Sequence, residues 1–93
     1  MKSGIELIVE ERMRQITEEG WTAKHDDQHT EGELALAGAC YAVSCYRIFH
    51  FFNEFWPWDM KWWKPAGPIR NLTKAGALIA AEIDRLQRLE PKL

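Results

Sequence analysis

Apolar residues recur at helical spacing in three stretches of the chain. Ile5, Ile8, Val9, Met13 and Ile16 follow the period of an amphipathic helix, and Ser3 with Glu6 three positions later is a capping box. A first helix is therefore predicted up to Gly20, a natural stop residue. Thr30 with Glu33 repeats the capping-box pattern, and Leu34 to about Phe49 is apolar almost all round, which predicts a second, central and buried helix. Beyond Pro65 and Pro68, the residues Leu72, Ala75, Ile79, Ile83, Leu86 and Leu89 keep the same period from Asn71 to about Leu89, ahead of Pro91. No alternation of strand length, internal repeat or low-complexity tract interrupts this pattern. The expected fold class is all-α: a small bundle of three main helices with a long Trp-rich loop between helices two and three, residues 1–93 forming a single helical domain. Each helix then brings its own apolar stripe to the core.

Small residues refine how the helices meet. Ala35, Gly38, Ala39 and Ala42 form a flat stripe on helix two, and Gly76, Ala77, Ala80 and Ala81 form another on helix three. Such surfaces suit a tight helix pair, or alternatively a glycine-mediated contact between subunits. Three helices of about 15 residues make a thin core, so a homo-oligomer is expected.

Composition narrows the class. With 93 residues, 46% apolar and 28% charged, the chain is sized for one soluble domain and too short for a full Rossmann or barrel scaffold. A net charge of −2 argues against a duplex nucleic acid as partner. Cys40 and Cys45 lie more than about 100° apart on a helix, which suits two core thiols in a reduced, cytoplasmic setting. The start Met1-Lys2-Ser3-Gly4 reaches charge too early for a signal peptide. The stretch Leu34 to Phe52 contains Arg47, His50 and many small residues, so no membrane partner is expected. Acids dominate from Glu6 to Glu33 and bases from Arg47 to Lys92, so the two halves should attract.

Two loops hold the candidate chemistry. The first contains Trp21 and the run His25-Asp26-Asp27-Gln28-His29, in which imidazoles and carboxylates lie close enough for Asp26, Asp27 and His29 to hold a divalent metal cofactor if the backbone turns. The run lacks the spacing of a zincin motif, and the plainer alternative is a loop in which Asp26 or Asp27 caps the next turn. The second loop places Trp56, Trp58, Trp62 and Trp63 within eight positions, four of the five tryptophans in the chain. Indoles at this density must bury against the chain's own core, a second subunit or a ligand. Lys61, Lys64, Arg70 and Lys74 surround the start of helix three, where an anion such as phosphate could be met. The candidate ligand site therefore comprises Trp21, His25, Asp26, Asp27, His29, Trp56, Trp58, Trp63, Lys64, Arg70 and Lys74.

The run Glu11-Arg12-Met13-Arg14-Gln15, then Glu19-Gly20-Trp21, His25-Asp26-Asp27 with His29, Gly32-Glu33-Leu34-Ala35, Tyr41-Ala42, Trp56-Pro57-Trp58, Trp63-Lys64-Pro65 and Lys74-Ala75-Gly76-Ala77-Leu78-Ile79 with Ala81-Glu82-Ile83 spans nearly the whole chain. In this combination it resembles a family of small phage and prophage proteins. The resemblance implies a setting, the interior of a bacterial host cell, rather than an activity. By analogy, accessory phage proteins of this size act on nucleotide pools or sequester the nucleotide signals of host defence. The expected function is binding of a nucleotide-like small molecule without turnover, as in counter-defence. One alternative is a Mg²⁺-dependent all-α nucleotide pyrophosphohydrolase using carboxylates among Glu10, Glu11, Glu18, Asp26, Asp27, Glu33 and Glu82, although Glu82 and Asp84 depart from that class's three-residue spacing. Another is an adaptor that presents its tryptophans to a protein. No motif in the chain requires turnover.

Overall fold

A computed structural model describes residues 1–44 and 55–90. Among these residues the chain is all helical, with no strand. Helix α1 spans Gly4–Thr17, a short α2 spans Ala23–Asp26, α3 spans Glu33–Val43, a 3₁₀ turn spans Met60–Trp62, and α4 spans Pro68–Leu89. The three main helices expected from the periodicity are α1, α3 and α4. The capping box at Ser3 is present, with Glu6 N–H donating to Ser3 Oγ at 3.2 Å and Ser3 N–H donating to the Glu6 carboxylate at 3.1 Å. The second expected box is not. The N-cap of α3 is Gly32 at φ +81°, and the Glu33 carboxylate instead accepts from Glu31 N–H and meets His29 Nδ1 at 3.4 Å. The helix that was expected to run on to about Phe49 is described as far as Val43, with residues 45–49 outside the described range.

α4, not the second helix, is the element on which the others lean, since it packs against both α1 and α3. Small residues set these contacts. A Cβ on Gly38 would sit 3.2 Å from the Ala75 carbonyl and 3.3 Å from Ile79 Cγ1, so α3 and α4 meet closely there. Gly76 serves the other neighbour: a Cβ there would run into Ile8 of α1. The two small-residue stripes thus do not face each other as one patch. The buried apolar core is compact, comprising Leu34, Ala37, Cys40 and Tyr41 of α3, Ala75, Leu78 and Ala81 of α4, and Trp56 from the connecting segment. Cys40 is a buried free thiol, whereas Cys45 lies outside the described residues.

The apolar stripes face the opposite way from the expectation. Of the six stripe positions on α4, only Ala75 is buried, while Leu72, Ile79, Ile83, Leu86 and Leu89 are exposed. Asn71, Leu78, Glu82 and Arg85 occupy the inward side instead. α1 behaves likewise, with Glu11 and Gln15 buried and Ile5, Val9 and Met13 exposed. The inward polar groups are mostly paired: Arg85 donates to both oxygens of Glu82 at 2.6 and 3.0 Å, which removes much of the penalty of burying them. Among the described residues no helix is long and apolar enough to cross a membrane.

Candidate functional site

The Trp-rich segment folds back over the inner side of the helices. Asp59 caps the 3₁₀ turn by accepting from Lys61 N–H, and the Trp56 indole N–H donates to the Asp59 carbonyl at 3.2 Å, which closes the Trp56-Pro57-Trp58-Asp59 turn. Two buried polar residues fix its far end. Tyr41 Oη accepts from Lys64 N–H, and Asn71 takes both the N–H and the C=O of Ala66 while also donating to Ser44 Oγ. The loop that carries the histidines is fixed from below. Thr22 is the N-cap of α2 and Asp27 its C-cap residue, and the fully buried Asp26 carboxylate accepts from Arg12 at 2.8 Å and from His25 Nδ1–H at 3.0 Å.

These anchors bring the two loops together. Trp21 stacks on His25 with rings 3° from parallel, His25 meets His29 at 5.1 Å between ring centres, and His29 meets Trp58 at 5.1 Å. Trp58 continues edge-on to Trp56, and Trp56 to Tyr41 and Trp63. The tryptophan segment therefore closes largely over its own chain. Trp62 alone among its four indoles is classed as exposed, at 48%.

A cavity of about 530 Å³ remains beneath this aromatic chain, within the range of small-molecule sites. Of the expected ligand residues, Trp21, His25, His29, Trp56, Trp58, Lys64 and Lys74 line it. The other four do not. Trp63 packs behind it on Tyr41, Asp26 lies under His25, Asp27 pairs with Arg88 at 2.7 Å, and Arg70 pairs with Glu11 at 2.7 Å beside a neighbouring shallow groove. The expected metal set of Asp26, Asp27 and His29 is not assembled, because the two carboxylates are drawn apart to Arg12 and Arg88. Among the described residues no group of three or more His, Cys, Asp or Glu side chains could share a metal ion.

The structure adds lining residues that periodicity had hidden. Glu11, Arg14, Gln15 and Glu19 reach the cavity from α1 and its end, and Tyr41 and Leu78 from α3 and α4. The available signal was the polar spacing Glu11, Arg14, Gln15, which shares a side of α1 away from Ile5, Val9 and Met13. The cavity's charge is mixed. Burial raises the Glu11 carboxyl, but hydrogen bonds from Arg14 and Arg70 outweigh it and hold the group below its ordinary value. Burial, followed by the nearby Arg70 charge, lowers Lys74, whose ammonium donates to the Lys64 carbonyl at 2.6 Å. Burial pushes the Tyr41 phenol up.

Two lining residues carry a buried polar atom without a hydrogen-bond partner, Gln15 Oε1 and Trp58 Nε1. An orphaned buried donor or acceptor costs about 1–3 kcal/mol, so each is unusual in a folded chain. One is an acceptor and the other a donor, both beside an aromatic cavity that also presents ammonium and guanidinium groups. Compared with family models, curated proteins and solved structures, the chain matches none.

Proposed function

We propose that the protein binds a nucleotide-like small molecule in the aromatic cavity and holds it without turnover. The observation that carries this reading is the orphaned pair, Gln15 Oε1 and Trp58 Nε1, at the cavity lining. A flat heterocycle bearing an N–H donor and a ring acceptor, as nucleobase edges do, offers a partner for each. The faces of Trp21, His25, His29 and Trp58 provide stacking surface, worth about 1–3 kcal/mol per base in other stacking sites. Lys64 and Lys74 suit a phosphate, whose charge would also compensate the burial of the Lys74 ammonium. In the bacterial cytoplasm, where the resemblance to phage and prophage proteins sets this chain, retention without turnover would sequester the ligand, as counter-defence requires.

The binding reading is preferred to hydrolysis because the carboxylates that a hydrolase of this size would draw on are already engaged. Glu10 pairs with Lys2, Glu11 with Arg14 and Arg70, Asp26 with Arg12, Asp27 with Arg88, Glu33 with His29 and Glu82 with Arg85, while exposed Glu18 lies 3.9 Å from Arg14. Titrating the protein with linear and cyclic nucleotides while following tryptophan emission tests the proposal. A saturable change, with every nucleotide recovered intact, supports it. No response across the panel, or release of pyrophosphate in the presence of Mg²⁺, overturns it.

A further inference from the structure

The aromatic chain over the cavity has two chemically different ends. The Lys74 ammonium lies 5.3 Å from the centre of the Tyr41 ring and donates to the Lys64 carbonyl, so both lysines belong to the Tyr41 end. Trp58 and His29 stand at the other end, separated from Tyr41 by Trp56. Gln15 belongs with them through Trp21, whose N–H donates to the Gln15 carbonyl at 2.9 Å.

At the histidine end acceptors outnumber donors. His25 turns Nδ1–H to Asp26 at 3.0 Å and His29 turns Nδ1–H to Glu33 at 3.4 Å, and neither carboxylate lines the cavity. With the ring proton held on Nδ1, Nε2 on the opposite edge of each neutral imidazole is a lone pair. Gln15 Oε1 is a third acceptor, buried and unpartnered, and Trp58 Nε1 is the orphaned donor. At the lysine end the charge left over is positive. Glu11 and Glu19 are both held by Arg14, which engages that guanidinium, whereas Lys64 and Lys74 have no carboxylate partner among the described residues.

We propose, resting on the nucleotide reading above, that the ligand is a nucleotide with one phosphoryl group on an amino-bearing base: adenine, guanine or cytosine, not uracil or thymine. An amino-bearing base brings N–H donors to the acceptors of the histidine end and a ring nitrogen or carbonyl to the Trp58 donor. Uracil and thymine carry one N–H between two carbonyls, which would set oxygen lone pairs against Gln15 Oε1 and the imidazole nitrogens and leave buried acceptors unpaired. At the other end a phosphate monoester carries about two negative charges near neutral pH, which matches the two unpaired lysines. A nucleoside leaves that positive charge unanswered. A triphosphate exceeds it and brings the surplus against Glu11, Glu19 and Asp59, the carboxylates of the lining.

Calorimetric titration of the wild-type chain with adenosine, guanosine, cytidine and uridine monophosphates, and with the nucleosides and triphosphates of the first three, tests the proposal. The expected result is that an amino-bearing monophosphate binds at least about tenfold tighter than uridine monophosphate, than its own nucleoside and than its own triphosphate. A smaller margin in any of the three comparisons overturns the proposal while leaving nucleotide binding in place, and no binding by any member of the panel overturns both. In Lys74→Gln the margin between monophosphate and nucleoside should shrink by at least about threefold, and Lys64→Gln decides if that variant does not fold. An unchanged margin in a folded variant contradicts the assignment of the lysine end to the phosphate.

Discussion

Arg70 Nη2 lies 2.7 Å from Glu11 Oε1, so the arginine placed to meet an anion at the start of α4 instead clamps that helix to α1. Glu11 receives Arg14 as well, at 2.9 Å, and its side chain is 2% exposed. One carboxylate thus ties two helices together at the cavity wall.

Because the Glu11 carboxyl is held below its ordinary value of 4.5, its contribution to stability is present above that pH. Below it, the unfolded chain takes up the proton first, so stability falls as pH drops toward the folded value. Glu11→Gln should cost about 2 kcal/mol at neutral pH, the worth of charge-assisted hydrogen bonds in a partly buried site. It should also make stability less dependent on pH below 4.5. Urea denaturation at a series of pH values measures both effects. An acid limb as steep as the wild type's would remove Glu11 from this role.

Asp26 is the second buried anchor, with no exposed surface and with Arg12 and His25 as its partners. Arg12 Nε and Nη1 are buried without partners, so the carboxylate is the counter-charge that makes this guanidinium tolerable. Asp26→Asn should cost about 3 kcal/mol, lowering the melting temperature by more than about 10 °C. Asp27→Asn, at an exposed pair, should cost less than about 1 kcal/mol. Equal losses would contradict the assignment of Asp26 as the buried member.

Two tryptophans that line the cavity, Trp56 and Trp62, differ sharply in burial. Trp56 is 9% exposed within the core, and Trp56→Ala should destabilise by about 3–5 kcal/mol. Trp62, flanked by Lys61 and Lys64 over its ring, should tolerate alanine within about 1 kcal/mol. Thermal unfolding of the two variants side by side checks this, and the reverse order would mean that the segment is seated differently.

Much of this architecture was legible from the chain, and what was not has identifiable causes. The Ser3 capping box and the helical periods of α1 and α4 could be read because they are local. The Thr30–Glu33 pattern misled because a glycine next to it could take the left-handed N-cap at no steric cost. Periodicity located the apolar stripes of α1 and α4 but cannot say whether a stripe faces the chain's own core. Here the inward positions are filled by polar groups that satisfy one another: Glu82 with Arg85 and Glu11 with Arg14 are i, i+3 pairs that look like ordinary surface pairs, and only the distant Arg70 that meets Glu11 leaves no local trace. The candidate site was partly readable because aromatic and imidazole groups were dense in two loops. Its α1 wall was not, since Glu11 and Gln15 look like solvated helix residues until the indoles close over them.

Gln15 separates folding from binding most cleanly. Its Oε1 is buried and unpartnered, so replacing the amide by an apolar group of similar size removes a liability of the empty protein and, on the proposed function, a contact to the ligand. The decisive measurement is the melting temperature of the wild type and of Gln15→Leu, each with and without a nucleotide that changes wild-type tryptophan emission. Without ligand the variant should melt at or above the wild type, by up to about 1 kcal/mol of added stability, and the ligand should raise the wild type alone. A variant that is stabilised by the nucleotide as strongly as the wild type would contradict the assignment of the aromatic cavity as the binding site.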